Sequence, residues 1–312
     1  MRGEGEGRVD DGYGLTTGLH IARDAIAKGE LLAIVGPTAS GKSALALEIA
    51  TALGGEIISV DSVQIYRHFD VGSGKPSAEE LARVRHHLIS THDPKDAIDA
   101  ARFAELADAA ILDVRARGKV PILCGGTYLW MRAVLLGLAA APPANAAIRA
   151  RHRELAEREG RAALHALLEK VDAASAKALH PNDVLRVSRA LEVHELTGKP
   201  MSELHEAHGF RTPRHRARLV GPAFTLPDLR ARIDRRAEQF LANGLVDEVR
   251  RLVAMGYGET RAMGSVGYRE VAAHLRGEIP ERELAARIGQ STWIFARRQR
   301  TWLKGEPVTW IS

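Results

Sequence analysis

The stretch Gly36-Pro37-Thr38-Ala39-Ser40-Gly41-Lys42-Ser43 has the spacing G-x-x-x-x-G-K-[ST], a pattern built to hold phosphate. Its glycines let the backbone turn tightly so that N–H groups converge on oxyanions. Lys42 adds a mobile positive charge, Ser43 a hydroxyl suited to Mg²⁺, and the start of the next helix a partial positive charge. The commonest use of the motif is nucleotide binding, ATP included. The motif alone does not say which phosphate compound is held, or whether phosphate is transferred or discarded.

Asp61 heads the run Asp61-Ser62-Val63-Gln64-Ile65-Tyr66. A carboxylate there can serve as a general base, worth roughly 10²–10⁴ in rate, or as a helix cap; the two readings stand level. Gly125-Gly126-Thr127 permits close backbone approach and offers a hydroxyl to a phosphate or a base, or is a plain strand-to-helix turn. Arg232 and Arg236 are four residues apart and share one helix face. They and the run Arg297-Arg298-Gln299-Arg300-Thr301-Trp302-Leu303-Lys304 read, taken alone, as solvated basic faces. His86-His87 and the scattered histidines lack the spacing of a metal cage.

Elements must bring these residues together. Leu31–Val35, Glu56–Val60 and Val120–Cys124 read as buried parallel strands, each ending where one of the candidate groups begins. Helical patterns follow the loop at Ala44–Leu53 and fill Asp99–Arg117. Ligands of open α/β sheets bind at the carboxyl ends of strands. The fold class is therefore α/β, a P-loop NTPase-like core with a parallel sheet. From about Asn145 to His208 the text turns to helix formers without strand pattern, entered at Ala139-Ala140-Ala141-Pro142-Pro143 and left at Arg211-Thr212-Pro213-Arg214. Leu219–Phe224 reads as a return strand, and three amphipathic helices run on to Lys304. The expected division is a mostly disordered extension over residues 1–29, above all the first fifteen, a catalytic core over 30–140 and 219–312, and a mainly helical insertion over 141–218.

Composition sets the class. The chain has 312 residues, 45% hydrophobic and 27% charged, which suits a globular protein with a large core. A formal charge of +5 permits nucleic-acid binding without requiring it. The single cysteine, Cys124, excludes an internal disulfide framework and fits a reducing compartment. No apolar run reaches the ~18 residues of a membrane-spanning helix. The start of the chain has the character of neither a signal nor a transit peptide. The expectation is a cytoplasmic monomer with no membrane partner.

The phosphate loop, Asp61–Tyr66, Gly72-Ser73-Gly74-Lys75-Pro76 and Gly125-Gly126-Thr127 occur in an order that resembles the tRNA dimethylallyltransferase (tRNA isopentenyltransferase) family. The resemblance continues through His180-Pro181-Asn182-Asp183, Arg189–Val193, Thr197-Gly198-Lys199, Gly244–Val249, Val266–Glu270 and Arg298–Trp302. It spans about residues 30–304. It implies transfer of a dimethylallyl group from its diphosphate to N6 of the adenosine just 3′ of the anticodon of tRNA. By the same resemblance, Gly36–Ser43 (Gly36, Pro37, Thr38, Ala39, Ser40, Gly41, Lys42 and Ser43) would hold the diphosphate, with Mg²⁺ at Ser43. Asp61, Thr127 and Arg236 would be catalytic: Asp61 taking the amine proton, Arg236 assisting on the diphosphate and Thr127 lining the channel. Contacts to the anticodon stem-loop would come from Asp61, Ser62, Val63, Gln64 and Thr127, from Arg149, from Leu185, Arg186, Val187, Ser188 and Arg189, and from Gly264 and Arg269. The helical insertion would be an anticodon-side clamp.

The chain departs from the family pattern at Gly74, where alanine is usual, and at Leu226-Pro227, where an arginine and an acidic residue are common. Trp293 replaces a usual arginine and Asn145 a frequent aspartate. On the core residues alone a P-loop small-molecule kinase is the rival reading, with Asp61 deprotonating an acceptor hydroxyl. A prenyltransferase of free adenine nucleotides and a non-catalytic RNA-binding protein are further alternatives. The helical insertion and the basic C-terminal runs favour the tRNA enzyme.

Overall fold

A computed structural model of the chain describes residues 11–209 and 212–312. Residues 1–10 of the expected extension and Arg211 of the expected insertion exit lie outside the described residues. In chain order the elements are α1 (Asp11–Ala27), β1 (Leu31–Val35), α2 (Lys42–Leu53), β2 (Glu56–Val60), α3 (Ala78–Arg83), β3 (His86–His87), α4 (Ala100–Ala116), β4 (Pro121–Gly125) and α5 (Tyr128–Leu136). Then come α6 (Ala146–Arg158), α7 (Arg161–Val171), α8 (Ala173–Ala178), α9 (Val184–Thr197) and α10 (Met201–His208). The chain closes with β5 (Ala217–Pro222), α11 (Leu226–Ala242), α12 (Leu245–Ala254), a 3₁₀ turn at Arg261–Gly264, α13 (Tyr268–Leu275), α14 (Glu281–Leu303) and β6 (Val308–Ile311). No helix among the described residues is long and apolar enough to cross a membrane.

Contacts divide the chain into two compact units, one reaching to Leu135 and resuming over Arg214–Ser312, the other Leu136–Pro213. The first unit holds a six-stranded sheet in the order β3-β2-β4-β1-β5-β6, parallel at every pairing. β1, β2 and β4 are buried along their whole length, so their side chains cannot alternate between core and water. β1 and β2 have the bounds their sequence predicts; β4 starts one residue later, and β5 starts at Ala217, within the stretch 141–218 assigned to the insertion. Two strands escape the sequence reading. β3 is only two residues long, and β6 is a short edge strand after the last helix, although its Val, Thr, Trp and Ile favour strands. Four helices follow β5 where three were expected.

The expected disorder before residue 30 is corrected by α1. Ala22 of this helix is fully buried with Leu32, Ile34, Ile49 and Ile311, and Leu15, Leu19 and Ile21 pack on the same cluster. Its glycines, which read as linker, are points of close approach. A Cβ on Gly18 would lie 2.9 Å from Ile311 Cδ1, and one on Gly14 would lie 2.5 Å from the Ser312 carbonyl oxygen.

The register of three strands places the chemistry. Gly125 at the end of β4 is level with Val35 of β1 on one side and with Val60 of β2 on the other. Gly36, Asp61 and Gly126 therefore leave the sheet side by side at its carboxyl edge. The fit is close: a Cβ on Gly125 would collide with the Val60 backbone. Gly125→Ala is expected to part β2 from β4 at this edge, lowering stability by about 1–3 kcal/mol as overpacked cores do. Urea denaturation measures it; an unchanged midpoint would mean that the strands are not held so closely.

Candidate active site

The phosphate loop turns out of β1 through two left-handed residues, Ala39 (φ 63°) and Gly41 (φ 98°), the second being the N-cap of α2. A non-glycine residue at such a φ is uncommon and must be held by its surroundings. Ala39 packs on the Leu229, Ile233 and Ala296 cluster formed by α11 and α14. Beside it the buried side chain of Gln299, from α14, spans two loops. Its Oε1 accepts from Thr38 N at 2.8 Å, and its Nε2 donates to the Gly126 carbonyl at 2.9 Å. Lys42 Nζ donates to the Pro37 carbonyl at a long 3.3 Å, a bond that a stronger acceptor can replace.

Asp61 caps a turn, where one sequence reading expected a helix cap. Its Oδ1 accepts from Val63 N at 2.8 Å and Gln64 N at 3.1 Å, capping the turn after β2. Its Oδ2 accepts no hydrogen bond among the described residues. Thr127 Oγ1 accepts from Ser62 N at 3.1 Å, which locks the loop after β4 to the loop after β2.

Two cavities meet at this carboxylate. One, of about 270 Å³, is walled by Lys42, Ser43, Ser59, Gln64 and Cys124. The other, of about 280 Å³, is walled by Ser62, Val63, Thr127, Gly264 and Arg269. Thr38, Asp61, Ser73, Arg236 and Phe295 line both. A small ligand in the first and a planar group in the second would face each other across Asp61 and Arg236.

Arg236, on α11, lies with its guanidinium 4.8 Å from the centre of the Phe240 ring. Desolvation holds its pKa below the usual arginine value, and the Asp61 carboxylate opposes that shift. The Lys42 ammonium is also held below the usual lysine value, first by desolvation; Cys124 and Asp61 oppose it and Arg236 adds to it. Burial pushes the Cys124 thiol up to about 11, so it stays neutral and unreactive at neutral pH. An anion bound between Lys42 and Arg236 relieves both cations.

The departure at Gly74 has a spatial cause. Its φ is +60°, and a Cβ there would fall on the Arg236 guanidinium. The segment 70–75 around it is held from behind. Glu248, 2% exposed, accepts from Val71 N at 2.7 Å and Asp70 N at 3.2 Å, and from the Tyr268 hydroxyl at 2.6 Å. Tyr268 OH in turn accepts from Ser73 N at 3.1 Å. Gln64 Nε2 donates to the Gly74 carbonyl at 3.0 Å, so this residue braces the loop. Lys75 is saturated by Tyr66 O, Asp70 and Ser90, which gives it a structural place. Trp293 puts an indole under Arg230 at 5.8 Å and joins the α11–α14 packing. Leu226 opens α11 and is exposed. Gln299, Glu248 and Tyr268 had no role in the sequence reading. Each lies inside a motif that carried the resemblance, and that was the only available signal.

In the second unit, Glu192 is fully buried, and it is the hub. It takes Arg149 through two bonds of 2.9 Å, Arg189 at 2.5 Å, and the Asn145 backbone N–H at 2.6 Å. Burial would raise its pKa, but these bonds outweigh burial and hold it at about 2. Asn145 caps α6 by accepting from Ala147 N and Ile148 N, as aspartate would. Val187 is buried and Ser188 is bonded to His152 at 3.0 Å, so these side chains face the unit's core and not a partner. Leu185, 84% exposed, and Arg186 remain on the surface.

Residues 64–306 match the IPP transferase family. The chain is 56% identical over 286 residues to a tRNA dimethylallyltransferase of Sorangium cellulosum, covering 92% of this chain and 91% of that protein. It is similar to the crystal structure of the full-length tRNA isopentenylpyrophosphate transferase of Bacillus halodurans, with TM-score 0.66, 35% identity, and 90% and 89% of the two chains covered. It is also similar to a eukaryotic dimethylallyltransferase acting on tRNA, with TM-score 0.74, 25% identity, and 88% and 69% covered.

The Glu192 cluster predicts a pH window. Its carboxyl is more acidic folded than unfolded, so its contribution is complete above the ordinary value of 4.5 and is lost as pH falls toward about 2. Glu192→Gln is expected to lower stability by about 3–5 kcal/mol near neutral pH, as breaking a buried pair does. The difference from wild type should shrink across that acid window in urea titrations. A difference independent of pH would mean that the ion pairs are not its source.

Proposed function

The chain belongs to the IPP transferase (tRNA dimethylallyltransferase) family, and from that membership and the geometry above we propose how its residues carry the reaction. The enzyme moves a dimethylallyl group from dimethylallyl diphosphate to N6 of adenosine-37 in tRNA. The allylic C–O bond breaks, the C–N6 bond forms, one N6 proton is lost and diphosphate leaves. The P-loop kinase reading left open by the core residues gives way to this one.

The observation that carries the assignment is the pair of cavities joined at Asp61 and Arg236. The diphosphate lies in the first, on the Gly36–Ser43 loop, where Lys42 and Arg236 meet the charge that develops as the C–O bond breaks. The adenine enters the second beside Thr127, after leaving its stack in the anticodon loop. An exocyclic amine is too weak an acid to be ionised beforehand. Asp61 therefore takes the proton through Oδ2 while the C–N bond forms, and its capped Oδ1 fixes the carboxylate in place. Ser62, Val63, Gly264 and Arg269 line the acceptor side, and Leu185, Arg186 and the outer edges of Arg149 and Arg189 serve as RNA contacts on the helical unit.

Mg²⁺ uses one or two protein oxygens with phosphate oxygens and water. Ser43, with Asp61, Ser59 and Gln64 in the same cavity, offers such an oxygen-rich set. Ser43 would hold the ion, which would supply charge neutralisation on the leaving group. We further take the protein to act as a monomer in the cytoplasm, in keeping with its single buried cysteine.

Purified protein given dimethylallyl diphosphate, Mg²⁺ and unmodified tRNA, without ATP, should yield N6-isopentenyladenosine on digestion and mass spectrometry. ATP-dependent transfer to a small alcohol instead would sink the assignment. Asp61→Asn keeps the amide oxygen that caps the turn, so it isolates the proton transfer. Turnover should fall roughly 10²–10⁴-fold with diphosphate binding retained; near-normal turnover would remove the base role. Lys42→Ala should chiefly injure the handling of the diphosphate, and unchanged kinetics would take the loop out of the reaction.

A further inference from the structure

Beyond Lys42 and Arg236, we propose that Arg232 is a second guanidinium arm of the donor site. It would take the terminal phosphate while Arg236 serves the phosphate that departs from carbon. This assignment rests on the diphosphate reading of the loop. α11 carries the two arginines one turn apart on the face that meets the loop, fixed there by the packing of Leu229 and Ile233 on Ala39. Arg236 lines both cavities beside Asp61, where the C–O bond breaks. Arg232, exposed and outside both cavity linings, reaches the loop at Ser40 and Gly41. Its Nη1 is 3.4 Å from the Ser40 carbonyl oxygen and 3.8 Å from where a Cβ on Gly41 would stand.

Charge supports the assignment. Among the described residues neither Arg232 nor Arg236 forms an ion pair, although Arg230 of the same helix pairs with Asp234 at 2.8 Å. A guanidinium held by one carbonyl at 3.4 Å is barely bonded. A phosphate can replace that contact with two parallel charge-assisted bonds, which suit a planar fork better than an ammonium. A diphosphate offers one phosphate group to each arginine, where a monophosphate offers a single group. Arg232 is thus the residue that distinguishes the two.

The test measures binding of inorganic diphosphate and of inorganic phosphate, each with Mg²⁺, by calorimetry on the full-length protein, alongside steady-state kinetics. Arg232→Gln should weaken diphosphate, and raise KM for dimethylallyl diphosphate, about 10–100-fold, as expected for lost charge-assisted bonds. Phosphate binding and KM for tRNA should be little changed. Arg232→Lys, which keeps the charge without the fork, should fall between, and gives the same ratio if the glutamine variant does not fold. Equal losses for diphosphate and phosphate, no loss in either, or a rise confined to KM for tRNA would overturn the proposal. If the wild-type protein binds diphosphate but does not prenylate tRNA, the functional reading fails while the diphosphate-to-phosphate ratio still decides the role of Arg232.

Discussion

Lys42 and Arg236 line one cavity beside the phosphate loop, with the Asp61 carboxylate as an acid that bears on both. Partly desolvated cations without counter-charges are costly, and left free they would turn toward water. Much of the surrounding architecture can be understood as resisting that. Phe240 backs Arg236, Gly74 clears room for it, and Glu248 with Tyr268 holds the segment that carries Gly74. Gln299 fixes the loop against the turn after β4. In the reaction proposed above, the anion that relieves this charge is also the leaving group, so the feature that is unfavourable in the empty protein would favour bond cleavage when substrate is present.

Part of this arrangement was legible in the residues alone, for a physical reason. Buried parallel strands make continuous apolar runs, and their ligand-binding residues follow immediately in sequence. Gly36–Ser43, Asp61 and Thr127 were therefore visible as groups at strand ends. Gln299 and Thr38 lie 261 positions apart in sequence, and Glu248 and Val71 177. No local spacing marks a buried amide or carboxylate that braces a distant loop. α1 was misread because glycine in an N-terminal stretch is as compatible with close helix packing as with disorder. Asp61 could not be divided between cap and base because its oxygens are separable: Oδ1 caps the turn, and Oδ2 is left for the proton transfer proposed above.

The helical unit shows the opposite balance. The family resemblance assigns Arg149 and Arg189 to RNA, and the structure commits much of their hydrogen-bonding capacity to Glu192. These two uses are compatible. A guanidinium fixed by a buried carboxylate presents its remaining edge in one orientation and loses little side-chain freedom when a backbone phosphate arrives. Val187 and Ser188 show the limit of transferring a whole contact segment: on a helix, neighbouring residues point in different directions, and these two point inward.

The order of strands in the sheet also has a consequence for synthesis. β1, which bears the phosphate loop, lies between β4 and β5, and β5 follows the whole helical unit. A nascent chain therefore exposes one side of β1 while, after β4, about ninety further residues emerge before β5, at roughly 5–20 residues per second. The clasp from Gln299 arrives later still. The helical unit is one continuous segment and can fold on the ribosome before the sheet around β1 is closed. The phosphate loop, packed by α11 and clasped by α14, is therefore completed only after both helices have been made.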